Sequence, residues 1–103
     1  MNILRIDTSD NLKTIVEVEI YGEKFKLVEK RKSPSGQKVL DLIERLLKKQ
    51  DLKLNDLSSI EVNTGPGSYT GIRVGVAIAN ALSFSLGIPV NKKKLSEIAV
   101  PEY

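Results

Sequence analysis

Cysteine and histidine are both missing from the 103 residues of this chain. The first absence excludes a disulfide framework and any thiolate metal site. The second removes the commonest metal ligand and the usual general base near neutral pH. No apolar run approaches the ~20 residues needed to span a membrane. The N-terminal stretch MNILRIDTSD is broken by Arg5 and Asp7, unlike the apolar region of a signal peptide. A soluble cytoplasmic protein with no membrane association is therefore expected. Proline and glycine, at 4 and 7 residues, are too few for a disordered chain. A formal charge of +3 allows a nucleic-acid partner without requiring one. With 41% hydrophobic and 28% charged residues, the chain suits one domain with a single core.

Periodicity supplies the elements. Asn2–Ile6 reads as a short strand, and Lys13–Tyr21 alternates apolar and polar residues as a second. Gly22-Glu23 marks a tight turn into a third strand, Glu23–Lys30, forming a hairpin. The stretch RKSPSGQ is turn chemistry, with Ser33 or Ser35 placed to cap a helix over Gln37–Gln50. LKLNDL leads into a strand at Ser59–Asn63, and a second helix runs from about Ser68 to Leu86, where Gly87 stops it. Ile88–Asn91 is expected to be a last strand, and the lysines at 92–94 lead into a tail that begins a third helix. The order β-β-β-α-β-α-β predicts an α/β domain with helices packed on a mixed, five-stranded sheet. Within it, Val16, Val18, Ile20, Phe25 and Leu27 share one face with Leu4, Ile6, Ile60 and Val62. Arg5, Glu17, Glu19, Lys24, Lys26 and Glu61 share the other. One face is dry and one charged, and Glu17, Glu19, Lys24 and Lys26 are expected to be exposed cross-strand pairs.

The loop TGPGSYTGIR, Thr64–Arg73, has the look of a phosphate cradle and fails both common templates. A dinucleotide fingerprint beginning at Gly65-x-Gly67 requires glycine where Thr70 stands, and neither glycine is followed by the Gly-Lys-Ser/Thr of a Walker loop. What remains is the anion preference of any helix N-terminus, with Ser68 able to cap the helix whether or not an anion is bound. The helix itself says more. Gly71, Gly75, Ala79 and Ser83 form a small-residue stripe, Val74, Ile78 and Leu82 lie beside it, and only Tyr69, Arg73 and Asn80 make an obvious wet edge. Such a helix needs burial on most sides. The first helix has an apolar arc of roughly 160°, wider than the ~100° that suffices to sit on a core. Either the two helices cover each other and the sheet, or they seek a partner pair.

The segments IDTSD, Ile6–Asp10, and NTGPGSYTGIRVGVAIANALSFSLGIPV, Asn63–Val90, resemble the TsaB (YeaZ) family, whose signatures are ID-T-S and G-P-G-S-[FY]-T-G-[LI]-R-[IV]-G. The resemblance covers the N-terminal half of that family. It implies one RNase H-like lobe of the actin/sugar-kinase/Hsp70 type, occupying residues 1–103, with helices mainly on one face of the sheet. It also implies a non-catalytic role as scaffold in threonylcarbamoyladenosine (t6A) modification of tRNA. Such a protein pairs with TsaD, which installs the threonylcarbamoyl group, while TsaE assists; tRNA is met only indirectly, and a homodimer is the other expected assembly. On this resemblance the interface is built by the helices through Val39, Ile43, Leu46, Leu47, Gly71, Val74, Gly75, Ile78, Ala79 and Leu82, with the glycines permitting close helix approach.

Two departures shape the expectation. The second lobe is absent, so a stand-alone half is expected, with the charged face of ILRID and IEVN turned to water where the family usually has ILAID and IAVG. The histidine common at the start of the family's first helix is missing from SPSGQKVL. Asp7, Thr8, Ser9, Gly65, Gly67 and Ser68 would form at most a degenerate phosphate loop, and no catalytic residue, metal or cofactor is expected. Asp7 has the position of the fold's active-site carboxylate, yet reads better as a turn former with Thr8 and Ser9. Lys30, Arg31, Lys32 and Lys92–Lys94 could meet tRNA phosphates, but no aromatic platform accompanies them and a solvated charge run is the simpler reading. The alternative function is a small ATP-binding module of the same superfamily.

Overall fold

Strand β1 (Asn2–Asp7) organises the sheet. In the computed structural model, which describes residues 1–30, 35–93 and 97–102, it has a strand on each side. Strand β2 (Lys13–Ile20) runs antiparallel to it with Val16 opposite Ile6, and β3 (Glu23–Lys30) pairs antiparallel with β2. The hairpin turn is Tyr21-Gly22, at φ 48° and 86°, one residue earlier than Gly22-Glu23. Two successive positive φ values suit a two-residue turn whose twist matches the strands, which leaves Glu23 free to pair with Ile20. Strand β4 (Ser59–Val62) joins the other side of β1 in parallel, giving the order β3-β2-β1-β4.

Among the described residues four strands form the sheet, where five were expected. At Ile88–Asn91 only Val90 makes a bridge, to Ile60. Pro89 has no amide hydrogen to offer a ladder. Beyond Val90 the chain turns through Asn91 and Lys92, both at positive φ (51° and 61°). The ladder continues in side-chain form: the Asn91 carboxamide accepts from the Val62 amide (2.7 Å) and donates to the Val62 carbonyl (3.1 Å).

Helix α1 (Gly36–Lys49) starts at Ser35, whose hydroxyl accepts from the Lys38 amide, and buries Val39, Leu42, Ile43, Leu46 and Leu47. Ser33 and the rest of Arg31–Pro34 lie outside the described residues, as do Lys94 and the expected start of a third helix; residues 97–102 are not helical. Helix α2 (Tyr69–Leu86) is capped by Ser68 and ends at Gly87, which has left-handed geometry (φ 67°). Both helices lie on the dry face, α1 over β2 and β3 and α2 over β4 and β1. There Leu4, Ile6, Val16, Val18 and Ile60 join the buried helix residues in one core. Among the described residues no helix is long and apolar enough to cross a membrane.

The small-residue stripe of α2 faces the sheet and not a second helix. A Cβ on Gly71 would collide with the Thr8 carbonyl oxygen, and one on Gly75 with the Thr8 hydroxyl. Further along, Ala79 is buried and the Ser83 hydroxyl donates to the Ile88 carbonyl (2.5 Å). The glycines therefore bring α2 down onto the end of β1. This corrects the expectation of close helix–helix approach, because a small-residue stripe specifies which side comes close and not what it meets. Substituting Gly75→Ala should cost about 1–3 kcal/mol by overpacking. The same change in a Thr8→Ala background should cost less, because the colliding hydroxyl is gone. Denaturant unfolding of the four species measures the difference.

Candidate functional site

Parallel neighbours end on the same edge of a sheet, so the loops leaving β1 and β4 meet there. Asp7 closes β1, and its Oδ1 accepts from both the amide (2.9 Å) and the hydroxyl (2.6 Å) of Ser9. Asn63, just past β4, donates to the Ser9 hydroxyl (3.2 Å) and accepts from the Gly65 amide (2.9 Å). The Ser68 amide donates to the Ser9 carbonyl (2.8 Å), and the Thr8 hydroxyl donates to the Gly71 carbonyl (2.5 Å). Gly67 is tight against the same turn, since a Cβ there would sit 2.7 Å from the Ser9 carbonyl oxygen. The six residues Asp7, Thr8, Ser9, Gly65, Gly67 and Ser68 are thus brought together.

Their chemistry points inward. An anion cradle needs backbone amides with nothing else to bind. Here Gly65 donates to Asn63, Ser68 to Ser9, and Gly71 to the Ser68 hydroxyl (3.2 Å). Asp7 also places a carboxylate beside the loop. Burial raises its pKa, but hydrogen bonds from the Ser9 hydroxyl and amide and from Asn63, with the charge of Lys13, outweigh burial and hold it below the usual carboxylate range. Among the described residues no group of three or more acidic side chains is arranged to hold a metal ion.

On the open face of the sheet, Arg5 gathers three carboxylates. Its Nη1 lies 3.0 Å from Glu17 and 2.9 Å from Glu19, and its Nε lies 2.9 Å from Glu61. The Glu61 hydrogen bond is the strongest cause of a guanidinium pKa raised above its ordinary value; partial burial opposes it, and Glu19 and Glu17 add to it. Register sets Glu17 opposite Lys26 and Glu19 opposite Lys24, yet both carboxylates turn to Arg5 on the neighbouring strand. One guanidinium satisfies several acceptors in a fixed fork, which a lysine on a flexible stem does not. A depression of about 350 Å³ lies beside the network, lined by Arg5, Asp7, Ile15, Glu17, Lys26 and Asn63 among others. Solvent-accessible ion pairs contribute about 0.2–1 kcal/mol each, against about 1.5–3 kcal/mol for each buried Leu, Ile or Val, so this network orders the face and the core holds the fold.

The helix residues named for an interface are mostly already buried within the chain. Val39, Ile43, Leu46, Leu47, Gly71, Gly75, Ile78, Ala79 and Leu82 are covered by the fold itself, and Val74 is half-buried. Tyr69, Thr70, Arg73, Ala77, Ala81, Phe84 and Ser85 of α2 are exposed. The Arg73 guanidinium lies 5.4 Å from the centre of the Tyr69 ring and bonds its hydroxyl, and Phe84 is 90% exposed. Asn80, expected on the wet edge, is half-buried and binds the backbone of Ala99. Of the basic residues considered for tRNA, Lys30 and Lys92 are exposed and Lys93 is half-buried, while Arg31, Lys32 and Lys94 lie outside the described residues.

Residues 31–92 match the family model described as TsaD, tRNA N6-adenosine threonylcarbamoyltransferase. The chain is 37% identical over 94 residues to the tRNA threonylcarbamoyladenosine biosynthesis protein TsaB of Bacillus subtilis, covering 88% of this chain and 40% of that one. The chain belongs to this family, in its TsaB (YeaZ) branch. The TsaB protein of Buchnera aphidicola (subspecies Schizaphis graminum) is 38% identical over 90 residues, with 85% of this chain and 41% of that one covered. The solved structure of YeaZ from Pseudomonas aeruginosa superposes at a TM-score of 0.79 with 27% identity, over 86% of this chain and 41% of its own. The chain thus spans about 40% of the length of these two curated TsaB relatives.

Three site residues were not foreseen: Asn63, Asn80 and Asn91. Each uses its carboxamide to tie a loop or segment to an element, and the spacing Asn63-x-Gly65 carried a usable turn signal. For Asp7 the sign of the pH effect follows from its lowered pKa. Its ionised form is favoured in the folded chain, so the stabilisation is complete above the ordinary carboxylate pKa and disappears as pH falls through the lowered value. Asp7→Asn should therefore lose stability at pH 7 and show a shallower decline than the parent between pH 5 and pH 2. Thermal unfolding across that range checks it; parallel profiles would show that Asp7 does not titrate differently on folding.

Proposed function

We propose that the chain is a non-catalytic partner in t6A modification of tRNA, associating in the cytoplasm with a TsaD-like subunit, with a TsaE-like protein in the same system and tRNA contacted only through the assembly. The observation that carries this reading is the outer surface of α2. The exposed residues of α1 include Lys38, Asp41, Glu44, Arg45, Lys48 and Lys49, the ordinary charged back of an amphipathic helix. The exposed residues of α2 are Tyr69, Thr70, Ala77, Ala81, Phe84 and Ser85, with Arg73 as the sole charge. Small residues at the centre and aromatics at the ends suit a flat contact with an aromatic anchor. Most of the helix residues expected at the interface lie beneath this surface: Gly71 and Gly75 let α2 approach the end of β1, and Val74 is half-buried. The names of the relatives and of the matching family model support the pathway.

We further read the chain as one RNase H-like lobe. The sheet order β3-β2-β1-β4, with Val90 bridged beside β4 where a fifth strand would lie, supports that reading. Phosphoryl chemistry depends mainly on positioning around the phosphates, and the Gly65 and Ser68 amides of the loop are engaged within the chain. No ATP turnover by the chain alone is expected, and Asp7→Asn should leave association with a TsaD-like protein unchanged.

The association test is direct. Mixed with the TsaD-like protein of the same organism at micromolar concentration, the chain should elute as a complex. Phe84→Glu and Ala77→Arg, both at exposed positions, should weaken binding at least about tenfold, or about 1.4 kcal/mol, without lowering stability. Binding unaffected by both substitutions would remove α2 from the contact. Magnesium-dependent ATP hydrolysis abolished by Asp7→Asn would replace the scaffold reading with the ATP-binding one.

A further inference from the structure

Segment 97–102 is held in a manner that the helix-face reading does not use. The Asn80 carboxamide donates to the Ala99 carbonyl (3.0 Å) and accepts from the Ala99 amide (2.8 Å), so one side chain takes both hydrogen-bonding groups of one residue's backbone. Three residues on, the Glu102 amide donates to the Thr64 carbonyl (2.6 Å). Gly65, at φ 121°, makes room for the segment's passage: a Cβ there would collide with the Glu102 carbonyl and approach Ile72 at 3.2 Å. Of the side chains, Ala99 is 1% exposed, while its neighbours Ile98 and Val100 are 61% and 59% exposed.

These are the features of a receptor for extended polypeptide. Main-chain hydrogen bonds supply affinity without regard to sequence, and the pocket under one side chain supplies selectivity. Only the Ala99 methyl is enclosed, so a small residue is required at that position and the flanking positions are tolerant. We propose that the surface between Asn80 and Thr64-Gly65 is a binding site for an extended peptide with a small side chain at its buried position, which segment 97–102 fills in cis. This stands independently of the proposed partner face on α2. While the segment is docked, the site is closed to a peptide in trans.

The full chain carrying Ala99→Arg, which cannot seat its own segment, tests this. The probe is a synthetic peptide with the sequence of residues 97–102, followed through the amide resonances of Thr64 and Gly65 and the Asn80 side chain. Saturable shifts are expected in the variant, with at least tenfold weaker response in the parent chain. The shifts should vanish when Asn80→Leu is added or when the peptide carries arginine at the Ala99 position. A folded Ala99→Arg variant that shows no shifts overturns the proposal. If Ala99→Arg does not fold, hydrogen exchange in the parent chain decides. Ala99 and Glu102 amides exchanging at least about tenfold faster than those of Leu4 and Ile60 would show a segment that docks and releases. Exchange only through global unfolding would make the segment an integral part of the fold and overturn the proposal.

Discussion

The approach of helix α2 to the end of strand β1 is the contact on which the other features depend. Gly71 and Gly75 have no Cβ, and the space is filled by the backbone and hydroxyl of Thr8. The Thr8 hydroxyl then reaches the Gly71 carbonyl, which joins the first turn of the helix to the strand by a hydrogen bond as well as by packing. Because α2 sits so low, Ser68 comes within reach of Ser9, the two loops close on each other, and Ala79 and Ile72 sink into the core. A bulkier stripe would lift the helix and open the loops. The same depth leaves the opposite side of α2, from Tyr69 to Phe84, facing outward with a single charge.

Much of this was legible in the residues. Alternation in β2 and β3 set the dry and charged faces correctly, because a period of two leaves no freedom once one face is buried. Both helix caps, Ser35 among two candidates and Ser68, agree with the structure. The residues of the degenerate loop do assemble. The partner of the Ser68 amide could not be read in advance, because whether that amide is free depends on where Ser9, some 60 positions away, finishes. The missing fifth strand has a similar cause. IPVN has strand composition, and Asn91 completes the pairing with its side chain where a backbone ladder was expected. Asn80 misled by residue type, since an asparagine on a helix reads as wet until a segment arrives to be bound.

The two faces of the sheet divide the energetic roles. The dry face joins helices and strands through fully buried Leu, Ile and Val side chains, each contributing more than a surface ion pair. The open face is ordered by Arg5 drawing in Glu17, Glu19 and Glu61. Those charges keep an uncovered sheet face compatible with water, and they make it a poor match for the apolar contact suggested by α2. The two exposed surfaces are therefore unlike: the outer side of α2 carries one charge, and the sheet face carries four linked ones.

Hydrogen–deuterium exchange of the chain, alone and mixed with the proposed TsaD-like partner, tests most directly which surface makes the proposed contact. Added protection concentrated in residues 69–86, with β1 and β2 unchanged, is the expected result. Protection centred instead on the open face around Arg5, Glu17 and Glu61, with α2 unaffected, would contradict it.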